Sequence, residues 1–492
     1  MTVVRSFIIA AAVLAVVGRA AAAEPAAKQE GGPVSYYRQV RRIFQQHCQG
    51  CHQPAKPTGG YVMTSHADLL KKGDQDKPNV VPRHPEKSFL VEQIRHRPGQ
   101  KAAMPKNKEP LSDEDVSLVV RWVAEGAADD TPRNAREVVD TAHPPVYTLP
   151  PVITSLDFCR DGSLLAVAGY HEVLLHRCDG SGLVARLVGL AERVQSVAFS
   201  PDGTRLAVAG GSPGRFGELQ VWDVARRRLK LSLSTTYDTV YGVSWSHDGS
   251  RIAYGCADNT LRAIDSATGK QVLFQGAHND WVLGTVFSRD SVYLVSVGRD
   301  RAMKLTEVAT QRFIDNITSI TPGALKGGLM AVDRNPQKSD RKVKNTAAGT
   351  DRTVKWYDEL IVGGADGVPR LYQMHRTRKR VIGDDFNKLR EYAAMPGRVY
   401  ALRFNPDGKL FAAGSSLDGH GEVRVYQTAD GKVVSTLEGQ PGAVYSVAWH
   451  PSGKVLASSG FDGVVRLSDP VTGKKIKEFV PVPLTARAAS AR

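Results

Sequence analysis

From residue 151 to about 482, apolar residues alternate with polar ones in short runs, the two-residue period of half-buried strands. The runs recur in pairs: "ITSLDFCRDGSLLAVAG", "VQSVAFSPDGTRLAVAG", "VYGVSWSHDGSRIAYGC", "VLGTVFSRDSVYLVSVG", "VYALRFNPDGKLFAAGS" and "VYSVAWHPSGKVLASSG". Each reads as a strand, a tight turn and a second strand. The turn residues Asp161, Asp202, Asp248 and Asp290 step by 41, 46 and 42 positions, and Asp407 to Ser452 by 45. A second mark opens a third strand at Asp258, Asp300, Asp366 and Asp462. Repeats of this length with four strands each predict a β-propeller. Six units are plain. A seventh is split, with "GGLMAVDRNP" as first strand and "ELIVGGADGVPRLYQ" as second and third, around a basic insertion, roughly "QKSDRKVKNTAAGTDRTVKW". Seven blades are therefore expected.

Upstream the period becomes helical. Tyr36, Val40, Ile43 and Phe44 share one face of a helix that runs into Cys48. Ser112 caps a second helix, with Asp113, Glu114 and Asp115 in its first turn and a stripe of Val116, Val119, Val120 and Val123, ending at Gly126. Shorter helices are expected near Ala67–Lys72 and Glu86–His96. The fold class is multidomain: a small all-α domain over 34–127, a Pro-containing linker over 128–150, an all-β propeller over 151–482 and a disordered tail over 483–492.

The first 23 residues carry Arg5, an apolar run from Phe7 to Val17 and the small residues Ala21, Ala22 and Ala23, the layout of a cleavable signal peptide. Residues 24–33 follow as a flexible leader. The apolar run is too short to span a bilayer, so the mature protein is expected in the periplasm or otherwise exported, and not membrane-spanning. Formal net charge is +15, and cleavage would remove Arg5 and Arg19. That surplus suits an anionic envelope surface or an acidic protein, while export argues against nucleic acid.

The candidate chemistry lies in "RRIFQQHCQGCHQPAKPTGG", where Cys48 and Cys51 are followed at once by His52. A structural zinc site would need two further ligands at knuckle spacing, and none follows. A redox dithiol would need a strand–helix alternation that is absent, and a plain disulfide leaves His52 without a reason. One covalent haem c accounts for all three residues, through two thioethers and a proximal imidazole. For the sixth position the domain offers Met63 and Met104, besides His47, His66, His84 and His96. Met104 heads a proline-bearing loop before the last helix, whereas Met63 reads as core and the histidines as surface or capping groups. Leu69, Leu70, Val81, Phe89, Leu90 and Ile94 can sheathe a porphyrin, with Phe44 and Trp122 meeting where the first and last helices cross.

The segments "VRRIFQQHCQGCHQPAKPTGGYVMTSHADLLKKG", "VVPRHPEKSFLVEQI" and "MPKNKEPLSDEDVSLVVRWVAEGA" resemble the planctomycete-type cytochrome c domain over nearly all of 34–127. The resemblance implies Cys48 and Cys51 as covalent anchors, His52 as proximal and Met104 as distal ligand of the iron. Lys106 stands where members often have a second proline. The repeats resemble WD-repeat proteins, although the dipeptide survives only as Trp222-Asp223, with His278 where such repeats often carry Gly-His. The pairing implies an electron carrier whose propeller docks a redox partner there or at the haem edge. The alternative is an oxidoreductase whose propeller binds substrate and passes electrons to the haem, marked by ionisable groups crowding the channel mouth. The recurrent aspartates read as turn caps. Lys338, Arg341, Lys342 and Lys344 form a basic patch in the insertion. Cys159 and Cys178 are expected as buried free thiols, since two strand spacings exceed disulfide reach.

Overall fold

The computed structural model describes residues 32–485 apart from 55, 97–100, 107, 133–138, 277, 321–324, 338–342, 346–351, 355–357 and 382. The export segment, nearly all of the leader, most of the basic insertion and the end of the tail lie outside the described residues. Among the described residues no helix is long and apolar enough to cross a membrane.

Helices are few and short. Tyr36–Val40 forms a π-turn that continues into α1 (Arg41–His47). α2 (His66–Leu69) is shorter than its apolar run suggested, so Leu70 stays 41% exposed instead of joining the sheath. The helix expected over Glu86–His96 is divided at Ser88, whose backbone is extended. A 3-10 turn, Pro85–Lys87, precedes it and α3 (Phe89–Ile94) follows. The Ser88 hydroxyl is occupied elsewhere, accepting from Val81 N–H at 2.8 Å and donating to the His84 carbonyl at 3.0 Å. α4 (Asp113–Ala124) starts at Ser112, whose Oγ accepts from Asp115 N–H at 3.1 Å, and Gly126 follows it with φ +110°. The region also holds a two-residue antiparallel ladder, His52–Gln53 with Lys56–Pro57, so it is not purely helical. Its core gathers Tyr36, Phe44, Met63, Leu69, Leu90, Ile94 and Trp122. Phe44 meets Trp122 edge-on at 6.3 Å, as expected where the first and last helices cross, and Tyr36 stacks on the same indole at 5.5 Å.

The rest is β. Among the described residues five sheets have four strands and one has seven. In the seven-stranded sheet the outer strand of one unit runs unbroken into the inner strand of the next, as Leu183–Phe199. The split unit assembles as read, with Leu329–Arg334, Glu359–Gly364, Arg370–Gln373 and Lys388–Glu391 in one sheet. First strands pack side by side in a closed, propeller-like circle: Leu156–Phe158, the end of Leu183–Phe199, Val240–Trp245, Val282–Phe287, Leu329–Arg334, Arg398–Phe404 and Val444–Trp449. Serines on or beside these strands join neighbouring first strands. Ser155 Oγ accepts from Val197 N–H at 3.1 Å, Ser196 Oγ from Val243 N–H at 3.1 Å, and Ser446 Oγ from Leu156 N–H at 2.8 Å. The last of these closes the circle. Closure also uses Ile153 N–H to the Gly460 carbonyl at 2.9 Å and a parallel bridge between Tyr147 and Leu484.

The recurrent aspartates cap turns. Asp161, Asp202, Asp248, Asp290 and Asp407 each accept from the backbone N–H two residues on, at 2.9–3.0 Å. Asp258, Asp300, Asp366 and Asp462 do the same at 3.1–3.2 Å. At Asp300 the cap becomes a buried network: His278 Nδ1 lies 3.0 Å from its carboxylate, and His278 Nε2 lies 2.8 Å from Ser296 Oγ. Burial alone would raise the Asp300 pKa. The bond and charge of His278 and the N–H groups of Asn279 and Ala302 outweigh it and hold the carboxyl at about 2. The folded value lies below the unfolded 3.8, so this stabilisation is complete above pH 3.8 and is lost as pH falls through about 2. Asp300→Asn should therefore flatten the acid limb of the unfolding curve between these values. The difference is on the order of 2 kcal/mol at neutral pH, read by denaturant midpoints at pH 2, 4 and 7.

No two of the five cysteines are joined in a disulfide. Cys159 is buried as expected, whereas Cys178, also expected to be buried, sits half-buried just past a strand end; Cys256 is buried as well.

Candidate cofactor site

α1 delivers the motif. The N–H groups of Cys48 and Gln49 both donate to the Phe44 carbonyl, at 2.9 and 2.8 Å. Those of Cys51 and His52 both donate to the Cys48 carbonyl, at 3.1 Å. Two thiols and an imidazole are thus presented by one tight turn wound around a single carbonyl. The chain then crosses back: Thr58 N–H donates to Cys51 and Met63 N–H to His52, at 3.0 and 2.9 Å. Gln49, buried, returns its amide to the Met63 carbonyl at 2.8 Å.

His52 is oriented from behind. Its Nδ1 lies 3.2 Å from the Tyr61 carbonyl, which can only accept, so the contact is a hydrogen bond in the Nδ1–H tautomer. That tautomer leaves the Nε2 lone pair for a metal, the arrangement that carbonyls bonded to the far ring nitrogen impose on ligating histidines. Tyr61 is fixed in turn, its hydroxyl donating to the Leu69 carbonyl at 3.0 Å. Burial lowers the His52 pKa, which keeps the imidazole neutral and able to ligate. Tyr61 had no mark in the sequence beyond its place after Gly59-Gly60, because its contribution is a backbone carbonyl.

Cys48 packs against the helical core while Cys51 is exposed. Burial pushes the Cys48 thiol up to about 12, opposite to the depressed value that a redox dithiol uses. Among the described residues no group of three or more His, Cys, Asp or Glu is placed to hold a metal ion, so a zinc knuckle has no completing ligands. The donors fit a haem bound by Cys48 and Cys51 and gripped by His52. Met104 is half-buried and packs on the same core as Cys48, its N–H donating to the Gln93 carbonyl at 3.0 Å. The peptide that follows it, to Pro105, is cis. Met63 is 2% exposed within the core. His66 and His96 have ring nitrogens 2.7 and 3.3 Å from the Ala127 and Leu111 carbonyls, and His84 faces Glu86 at 3.0 Å.

The propeller channel is a cavity of 380 Å³. Its wall is built from Tyr241, Leu283, Met330, Tyr400 and Tyr445 with small residues between, and among the described residues Arg403 is the charged one in its lining. Arg403 sits 3.7 Å from Asp333 and also acts on Asp157, which burial raises to about 6. Among the described residues no crowd of ionisable groups lines it. A second cleft of 540 Å³ lies between the helical region and the propeller, bounded by Gln49 on one side and by Tyr170, Glu192 and Arg215 on the other.

Residues 48–108 match the family model described as Planctomycete cytochrome C. Residues 228–265, 387–426 and 431–469 match that of the WD domain, G-beta repeat. Among similar proteins, Coronin-7 of Bos taurus is 32% identical over 35% of this chain and 20% of its own length. The WD repeat-containing protein 91 homolog of Dictyostelium discoideum is 28% identical over 22% of this chain and 14% of its own length. The serine-threonine kinase receptor-associated protein of Mus musculus is 24% identical over 56% of this chain and 75% of its own length. The chain thus spans a fifth or less of the length of the first two. The repeats align with widely different WD proteins, and the turn around Cys48 aligns with a haem family: this chain carries a planctomycete-type cytochrome c domain fused to WD repeats.

Proposed function

We propose that the protein is an exported electron carrier with one covalent haem c, held by Cys48 and Cys51 and ligated by His52 and Met104, with the WD region as a seven-bladed docking module. The observation that carries this reading is the His52 ring, held by the Tyr61 carbonyl in the tautomer that frees Nε2, on the turn that bears both thiols. When bound, the haem supplies a one-electron couple. Around it, Tyr61 orients His52, and Phe44, Leu69, Leu90 and Ile94 exclude water. Ligation by the Met104 thioether would favour electron transfer over substrate binding at the metal. The seven-bladed reading is supported by the closed circle of first strands and by the split unit's single sheet. The docking role is favoured over substrate turnover by a channel lined by aromatic and small side chains with one arginine. The apolar stretch ahead of residue 23 supports export to the periplasm.

Met104→Ala tests the distal assignment. Carbon monoxide titration of the reduced protein should show binding tightened by at least about tenfold, or 1.4 kcal/mol, with a changed ferrous spectrum. An unaltered spectrum and affinity would assign the sixth position elsewhere.

A further inference from the structure

The turn that bears Cys48, Cys51 and His52 is not open on all sides. A Cβ on Gly50 would stand 2.4 Å from the Ser232 carbonyl oxygen, in strand Arg228–Thr236. Gly50 has no left-handed backbone angle, so the missing side chain answers to space and not to conformation. Strand Arg228–Thr236 is the last strand of its sheet, and such an edge presents carbonyls with no strand partner. Two of them face the turn: Lys56 Nζ donates to the Lys230 carbonyl at 3.0 Å, and the Ser232 carbonyl meets Gly50.

Behind this edge lies Glu218, 1% exposed, which accepts from Gln220 Nε2 at 2.7 Å and from Ser232 Oγ. It faces the amide of Gln53, itself 1% exposed and next in sequence to His52. Farther along, Arg215 Nη2 lies 3.4 Å from the Tyr37 hydroxyl and its Nη1 pairs with Glu192 at 3.2 Å. Gly50, Gln53, Lys56 and Tyr37 thus each have a propeller counterpart, while Cys51 stays exposed.

We propose that the propeller acts on its own haem domain: the edge strand Arg228–Thr236 covers one side of the attachment turn. Electron exchange with a protein partner is then confined to the open side at Cys51. The route rests on the haem assignment above, but the cover itself does not. It also means that this blade edge is already engaged, so an external partner docks on other parts of the disc.

Two substitutions in the full-length protein test this. Gly50→Val puts a branched side chain into the Ser232 carbonyl. Ser232→Lys forces a long charged chain into the same contact and leaves the attachment motif intact, should the first variant fail to take up haem. Amide hydrogen exchange should accelerate by at least about tenfold at residues 49–53 and 230–234 in both variants, with exchange in the first strands unchanged. Small-angle scattering should show a larger radius of gyration. The rate of reduction by a protein-sized reductant, relative to that by a small one, should rise at least twofold. Unchanged exchange and radius in both variants would overturn the cover, and an unchanged rate ratio with accelerated exchange would overturn the confined route. If denatured wild type retains no chromophore, the haem assignment fails by itself, and the exchange result still decides the cover.

Discussion

Serine at both Cys48 and Cys51 should give a polypeptide that loses all visible absorbance on denaturation and gel filtration, while the wild-type chain keeps it. On the proposed attachment the loss would be all-or-none, because two thioethers would be the covalent hold and serine oxygen forms neither. A second effect follows from packing. The helical core gathers around the motif through Phe44, Met63, Leu69, Leu90 and Ile94, and Cys48 and Met104 pack on that same core. Removing a large apolar group from such a core should cost about 3–5 kcal/mol or more, comparable to emptying an aromatic site. The expected melt shows an early transition in the helical signal at 222 nm with the later β transition unmoved. Retained colour after denaturation in the double variant would refute the covalent assignment.

Glu172→Ala should destabilise the propeller more than any other single change in its polar network, by about 3–5 kcal/mol. The Glu172 side chain is wholly buried and receives Arg186 at both oxygens, 2.6 and 2.7 Å, and the Tyr147 hydroxyl at 2.8 Å. Arg186 also donates to the Pro145 carbonyl at 2.6 Å. Truncation leaves a largely buried guanidinium without a counter-charge, and that is the dominant penalty. Glu172→Gln keeps the shape and removes the charge, so it should fall between wild type and alanine in urea midpoint. Equal midpoints for all three would mean that Arg186 finds water as readily as it finds Glu172.

The blades could be read because their signals are local. A strand of period two, an aspartate and a glycine lie within ten residues, and the carboxylate bonds two positions on whatever surrounds it. The motif at Cys48 was legible for the same reason, since one turn holds all three side chains. What escaped the sequence is long-range. Ser232 against Gly50 joins positions 182 apart, and Glu172 with Arg186 and Tyr147 is a network that no spacing announces. The break in the third helix escaped because Ser88 prefers the Val81 and His84 backbone to a helical bond, a choice that only the fold offers. Leu183–Phe199 escaped for a different reason: nothing in an alternating pattern says where one sheet hands its strand to the next.

Tyr147 has a role larger than its position between two regions suggests. Its carbonyl receives Thr485 N–H at 2.9 Å, its hydroxyl holds Glu172, and it pairs with Leu484. The clasp of the ring is therefore fastened at the point where the connecting chain arrives. A propeller expressed from upstream of Tyr147 would retain that clasp, whereas one begun at Pro150 would hold its ends only through the Ser446–Leu156 and Ile153–Gly460 bonds.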